Sequence, residues 1–287
     1  MNARLLFTHA LSPLHAGTGQ GVGVIDLPIA REKATGLPFL PGSSVKGTLR
    51  DACEDKDKRK QAFGPETDNA SEHAGAVQFS DQRLLLLPVR SLAGTFAWVT
   101  SPYVLQRLLR DAEAADVDRL PGVPAPPEEG CAVSNDGCQI RVGNKVVLED
   151  LDPNAQPDAL VGQWAVWLAR RVFPGDAEAV SRFKARLCVV HDDVLNFLLD
   201  TATEITARIK LQDDKKTVQK GGLWYEEALP TETVLVGLVV ATRVAASKAT
   251  PNEVFTTVDS LLTKPLQFGG KATVGRGVCK LHMKEGQ

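Results

Sequence analysis

The chain has 287 residues, 43% hydrophobic and 24% charged, enough to bury a substantial core as one large domain or two small ones. Its formal net charge is −2 and its pI about 6.2, so it lacks the basic balance common among nucleic-acid binders, and any such site must rest on local patches. Five cysteines, odd in number and without a C-x-x-C pair, fit neither a disulfide framework nor a zinc finger; with no signal-peptide pattern and no apolar run of membrane-spanning length, the chain reads as a soluble cytoplasmic protein.

Arg4 to Leu11 reads as an opening strand. Gly17, Gly19, Gly21 and Gly23 then permit positive φ or close approach to a ligand. Asp26 stands inside the apolar run Val24 to Ile29, where a buried strand keeps a charge only if it is paired or used. Pro41-Gly42-Ser43-Ser44 opens a helix with Val45, Leu49 and Cys53 in one stripe and Lys46 and Arg50 on the adjoining flank. Ser43 or Ser44 is expected at the N-cap. The free N–H groups of the first turn, the helix dipole and Lys46 together suit an anion, a phosphate first of all. A capped surface helix with a solvated lysine has the same pattern.

Residues 54–75 look like a charged loop. Val77 to Asp81 alternates and Leu84 to Val89 is fully apolar, which suggests a strand pair. Ser101-Pro102 starts a helix with Val104, Leu105, Leu108, Leu109 and Ala112 on one face. Residues 113–160, punctuated by Pro121, Pro124, Pro126, Pro127, Pro153 and Pro157, read as an irregular insertion. Within it Cys131 and Cys138 could pair or share a metal, but are expected as reduced thiols.

Helical patterning returns at Gln163 to Val172, followed by a short buried strand at Ala185 to Val190. Asp192 or Asp193 then caps a helix carrying Val194, Phe197, Leu198 and Ala202. Residues 204–230 read as a long protruding hairpin. Its Arg208, Lys210, Lys215, Lys216 and Lys220, with Trp224 and Tyr225 nearby, suit backbone neutralisation plus stacking or wedging against bases. A solvated charged hairpin with aromatics at its base is the alternative.

Glu232 to Ala241 is a core strand, and Thr250 to Glu253 is a capping box opening a helix with Val254, Phe255, Val258, Leu261 and Leu262 inward. Phe268 to Gly277 interleaves Gly269, Gly270, Gly275 and Gly277 with Lys271 and Arg276, freeing several N–H groups for one ligand. A strand, Val278 to Met283, follows this loop, so it is no Rossmann fingerprint; nor is it a Walker A loop. Two such cradles suit an extended polyanion better than a mononucleotide. Among the histidines only His15 stands at a candidate site, to contact a phosphate or move a proton, or simply as a satisfied structural residue. Strand, helix, hairpin and strand recur in both halves, which points to α+β, with two ferredoxin-like units of which one is complete.

Five segments together resemble the RAMP superfamily of CRISPR proteins: the His15-Ala-Gly-Thr-Gly turn, Val24 to Glu32 with Thr35-Gly36, Pro41 to Gly47, Val77 to Asp81 with Leu84 to Ser91, and Phe268 to Gly277. They look most like the repeated backbone subunit of the type III-B (Cmr) RNA-guided effector. The resemblance implies a single RAMP domain over residues 1–287: an RRM-like palm, with 113–160 as an insertion and 204–230 as a thumb. It implies copies stacked along a guide RNA beside other Cmr subunits, with each thumb displacing a base pair of the guide–target duplex while base pairing supplies sequence choice.

It also implies that Asp26 is the aspartate required for metal-dependent cleavage of the target RNA. A lone carboxylate makes a poor all-protein site, so the ion, magnesium or manganese, would be held partly by RNA. The expected RNA-binding set is His15, Gly17, Gly42, Ser43, Ser44, Lys46, Arg50, Arg208, Lys210, Gly269, Gly270, Lys271, Gly275 and Arg276, with Glu226 and Glu227 as candidate helpers. The competing reading is a structural RNA-binding subunit in which Asp26 is an ion-paired core residue. A small-molecule enzyme lacks both a cofactor fingerprint and a nucleophile constellation.

Overall fold

The computed structural model describes residues 2–19, 21, 24–65, 74–128, 130–244 and 249–284; Gly23 of the first glycine run lies outside them. The first half of the chain runs β1 (Ala3–Ala10), β2 (Phe39–Leu40), α1 (Gly42–Ala52), α2 (Lys56–Phe63), β3 (Val77–Phe79), β4 (Gln82–Arg90), β5 (Phe96–Thr100) and α3 (Pro102–Ala114). It continues with β6 (Cys131–Ser134), β7 (Arg141–Val142), β8 (Lys145–Val146), β9 (Asn154–Pro157), α4 (Ala159–Val172), α5 (Ala179–Arg186), β10 (Leu187–Val190) and α6 (Asp192–Thr201). The hairpin β11 (Glu204–Leu211) and β12 (Val218–Ala228) follows, then β13 (Val234–Ala241), α7 (Pro251–Leu261), β14 (Leu266–Gln267) and β15 (Val278–Lys284).

All strands except the hairpin join one mixed sheet in the order β14-β15-β1-β13-β4-β5-β10-β6-β9-β8-β7, with β2 beside β4 and β3 beside β13. Its β15-β1-β13-β4 part, antiparallel throughout, has α1 between β1 and β4 and α7 between β13 and β15. That is a complete ferredoxin-like β-α-β-β-α-β unit. The remainder is not a second one, because β10 pairs with β5, and β6 with β9, in parallel. The hairpin stands off as its own two-stranded sheet.

Alternation along β1 separates the helical layers. Phe7 meets Trp167 of α4 edge-on at 6.1 Å between ring centroids. Arg4 instead lies 4.1 Å over the Phe255 ring of α7. The central sheet is therefore covered on both faces, which is why β1 and β4 read as nearly continuous apolar runs. Trp98 of β5 stacks on Phe183 of α5 at 4.4 Å, extending this core under the second half of the sheet.

Several local expectations are corrected. The charged stretch 54–75 contains α2, capped by Asp55, whose carboxylate accepts from the N–H groups of Asp57 and Lys58; only Ala62 and Phe63 are buried, so no apolar stripe announces it. The insertion is irregular only to residue 128; β6 and β9 then add strands to the main sheet through β10. Neither serine caps α1. Pro41 occupies that position, and the Gly42 N–H is taken by the Asp81 carboxylate at 2.8 Å. The β3–β4 turn presses so closely here that a Cβ on Gly42 would stand 2.3 Å from the Phe79 carbonyl oxygen.

Likewise His191, not an aspartate, caps α6: its Nδ1 accepts the Asp193 N–H, while the Asp192 carboxylate is turned to the Tyr103 N–H. Phe197 points outward and is 53% exposed. All five cysteines are free. Among the described residues no helix is long and apolar enough to cross a membrane.

Candidate nucleic-acid interface

Residues 24–29 do not form a buried strand. They make a strap alongside the root of the hairpin, where the Leu27 N–H donates to the Tyr225 carbonyl at 3.1 Å and the Glu227 N–H donates to the Leu27 carbonyl at 3.0 Å. Val24 is 92% exposed and Asp26 is exposed too, so the carboxylate has no burial cost to offset. The Asp26 Oδ2 accepts the Tyr225 N–H at 2.8 Å; among the described residues the side chain has no other partner. Asp26 opens onto a cavity of about 470 Å³ lined also by Gly21, Leu27, Gly221, Leu223, Trp224 and Lys271. Strap, hairpin and glycine loop thus each supply one wall.

Glu226 holds these walls together. Its buried carboxylate accepts from Trp224 Nε1 at 2.8 Å, Lys271 Nζ at 2.8 Å and Arg208 Nε at 3.3 Å. Burial acts to raise its pKa, but these three donors outweigh it and bring the carboxyl down to about 2. Glu227 is occupied as well: it accepts Arg31 at 2.6 Å and the Ile29 N–H at 3.0 Å. Both acids are structural ties rather than free helpers.

The glycine loop folds against His15. The Gly270 N–H donates to the His15 carbonyl at 2.9 Å, and Gly269, at positive φ, leaves only 2.3 Å between that oxygen and any added Cβ. The His15 ring is buried, with Nδ1 donating to the Glu227 carbonyl at 2.6 Å, and a Cβ on Gly17 would reach 2.5 Å from Nε2. His15 therefore acts here as a packed pin between hairpin and loop. Arg276 is buried: NH2 donates to Thr206 Oγ1 at 3.0 Å, while NH1, without a hydrogen-bond partner among the described residues, stands 3.9 Å from Glu204. Gly275 sits in a left-handed turn with open space around it.

The start of α1 is separate, joined to this cluster by Thr48 Oγ1 donating to the Gln267 carbonyl at 3.3 Å. Ser43 is exposed, and Ser44 and Lys46 are half-buried. Burial and, after it, the neighbouring Arg50 hold the Lys46 ammonium below its usual pKa, and no carboxylate among the described residues pairs with it. It is a cation with room for an anion. Arg50 is different, because its guanidinium donates to the carbonyls of Gly64 at 3.1 Å and Pro65 at 2.8 Å. Lys210 is exposed on the hairpin. Asp81 and Arg31, both missed from sequence, matter because each ties together distant segments, a relationship no local pattern encodes.

Among the described residues no three His, Cys, Asp or Glu side chains gather to hold a metal ion. The donor set fits only an ion that takes one carboxylate oxygen from Asp26 and the rest from water and phosphate, as magnesium commonly does.

A sequence model of the RAMP superfamily matches residues 9–280. The chain belongs to the RAMP superfamily. This RAMP protein is 38% identical, over 99% of its length and 97% of the relative's, to the CRISPR system Cmr endoribonuclease Cmr4 of Pyrococcus furiosus. It is 22% identical to the CRISPR system CMR subunit Cmr4 of Saccharolobus solfataricus, covering 96% of this chain and 94% of that one. Its structure resembles that of oligomeric Cmr4 from Pyrococcus furiosus, with a TM-score of 0.77, 30% identity and 99% of each chain covered. A type III-B Cmr-beta complex bound to cognate target RNA contains a chain of the same fold, with a TM-score of 0.73 at 21% identity, covering 98% of this chain and 96% of that one.

Proposed function

We propose that this RAMP protein is the repeated backbone subunit of a type III-B (Cmr) effector, which holds guide RNA and cuts the paired target RNA through Asp26. One observation carries the reading: the exposed Asp26 carboxylate opens onto a cavity walled by the hairpin's Leu223 and Trp224 and the loop's Lys271. A structural role for Asp26 as an ion-paired core residue has no support, since its bonding partner is a backbone N–H. The 38% identity to a relative named an endoribonuclease supports the activity. The free cysteines suit the cytoplasm.

A hairpin that displaces a base from the duplex lets a ribose 2′-OH swing in line with the adjacent phosphate, and positioning supplies much of the acceleration. Asp26 orients that hydroxyl and takes its proton as the oxygen attacks phosphorus; the 5′-oxygen of the next nucleotide departs and is protonated by water. Where the free Asp26 oxygen instead holds a magnesium or manganese ion, that ion would stabilise the charge developing on phosphate and water would take the 2′-OH proton. Lys46, with the first-turn N–H group of Ser43, takes a guide phosphate, while Lys271 adds charge at the hairpin root and Lys210 toward the hairpin's far end. His15, Gly17, Arg50 and Arg276 serve by holding these elements in place.

The test is to incubate the assembled complex with labelled complementary RNA. The wild type should give regularly spaced, chelator-sensitive fragments, and Asp26→Asn should give none while binding guide normally. Full-rate cutting by the assembled variant would overturn the assignment.

A further inference from the structure

Asp26 and Lys271 line one cavity with opposite charges, yet among the described residues they do not pair with each other. Each has its own partner instead, and the two partners are consecutive residues of β12. The Tyr225 N–H holds the Asp26 carboxylate at 2.8 Å, and the Glu226 carboxylate holds the Lys271 ammonium at 2.8 Å. The strap thus offers a proton acceptor to the cavity and the glycine loop offers a proton donor.

Lys271 stands at φ +67°, in the left-handed region. Glycine would take that turn without strain, in a loop that already has four. A strained backbone kept beside a site points to a role for the side chain it carries. Neighbouring bonds hold the turn in place: the Gly270 N–H donates to the His15 carbonyl at 2.9 Å, and the Lys271 carbonyl accepts the Val274 N–H at 3.1 Å. Glu226 also faces more positive charge than it can balance, since Arg208 and Lys271 both bond to its one carboxylate. If Lys271 gives up a proton, Arg208 and Glu226 remain a matched pair. The lysine can therefore lose its charge without stranding a buried carboxylate.

We propose that Lys271 is a catalytic residue, the general acid for the 5′-oxygen that departs when target RNA is cut. The inference rests on the reading of Asp26 as the base, and it puts Lys271 in the place of water as the source of the last proton. In-line displacement sets the attacking and departing oxygens on opposite sides of phosphorus, so two walls of one cavity can serve both. Asp26 takes the 2′-OH proton as the 2′-oxygen bonds to phosphorus. The bond from phosphorus to the 5′-oxygen breaks, its electron pair stays on that oxygen, and the Lys271 ammonium supplies the proton. The products are a 2′,3′-cyclic phosphate and a 5′-hydroxyl. Water then carries the proton from the Asp26 carboxyl to the Lys271 amine, which restores both groups.

The experiment gives the assembled complex two labelled target RNAs, one natural and one with sulfur in place of the bridging 5′-oxygen at one cleavage position. A thiolate departs without needing a proton. Lys271→Arg keeps the charge beside Glu226 but cannot release a proton. It should cut natural RNA at least about a hundredfold more slowly than the wild type, and the sulfur-substituted RNA at the wild-type rate. That second rate also shows that the variant is folded and binds its target. Lys271→Gln should show the same rescue. Asp26→Asn should be slow on both RNAs, because the 2′-OH still needs activation. Wild-type cutting of natural RNA by Lys271→Arg would overturn the proposal. So would an equal loss on both RNAs, which would mark Lys271 as a structural tie. Full-rate cutting by Asp26→Asn would instead remove the underlying reading, and this inference with it.

Discussion

The Asp26 carboxylate accepts the Tyr225 backbone N–H at 2.8 Å, joining two residues 199 positions apart. The bond does two jobs: it anchors the strap to the hairpin, and it fixes one carboxylate oxygen while leaving the other toward the cavity. Asparagine can keep the first job and not the charge. In Asp26→Asn the Tyr225 amide should stay as protected from hydrogen exchange as in the wild type; in Asp26→Ala it should exchange faster. Cleavage should vanish in both. Equal protection in all three proteins would show that the side chain does not tether the strap.

Lys46 and Arg50 are one helical turn apart and should behave oppositely. Lys46→Ala should weaken guide binding and reduce the slope of log affinity against log salt by about 1, the signature of one lost phosphate contact. Arg50→Ala should leave that slope unchanged and lower the melting temperature, because it removes two bonds to the carbonyls at the end of α2. Since the folded Lys46 pKa lies below its unfolded value, the folded chain gains stability as pH rises through the folded value toward the ordinary lysine value of 10.5. Guide binding through Lys46 should weaken over the same alkaline range.

Glu226 sets an acid limit. Its carboxyl titrates at about 2 in the folded chain against 4.5 for the ordinary group. A depressed carboxyl stabilises the fold fully above the unfolded value and loses that contribution as pH falls through the folded one. Glu226→Gln should therefore be less stable than the wild type at neutral pH, with the difference shrinking between about pH 4.5 and pH 2. A difference in denaturation midpoint that stays constant across that range would contradict the three-donor arrangement.

Two glycines of the same loop make a controlled pair. Gly277, at φ +80°, has the Phe268 carbonyl oxygen 1.9 Å from any added Cβ, whereas Gly275, also at φ +80°, has nothing within 4 Å. Gly275→Ala should cost about 1 kcal/mol, the conformational penalty alone. Gly277→Ala should cost more than about 2 kcal/mol, since the backbone must also move. Chemical denaturation of both variants checks the order.

Features written in local pattern were legible: the β1 strand, the Val45–Leu49 stripe, the Thr250–Glu253 capping box and the hairpin all stand where their spacing puts them. The helix α2 was not, because a charged helix with two buried residues has no apolar period to read. The caps of α1 and α6 were misassigned for a related reason. At α1 the Asp81 carboxylate from the β3–β4 turn takes the first N–H, and at α6 the Asp192 carboxylate is drawn to the Tyr103 N–H and the cap falls to the adjacent His191. The premise that singled out Asp26 does not hold: Val24 and Asp26 are exposed while Ile29 is buried, so the charge is not a burial anomaly. Lys271 is 45 positions from Glu226, and only folding reveals that it shares that carboxylate with Arg208 of the same hairpin.

The strap and the hairpin root are stitched by three hydrogen bonds within three residues of β12: Tyr225 N–H to Asp26, Leu27 N–H to Tyr225, and Glu227 N–H to Leu27. Acid and hairpin root therefore travel as one rigid jaw. Any tilt that pushes the hairpin deeper carries the carboxylate with it, and the interval between the two works as a fixed gauge.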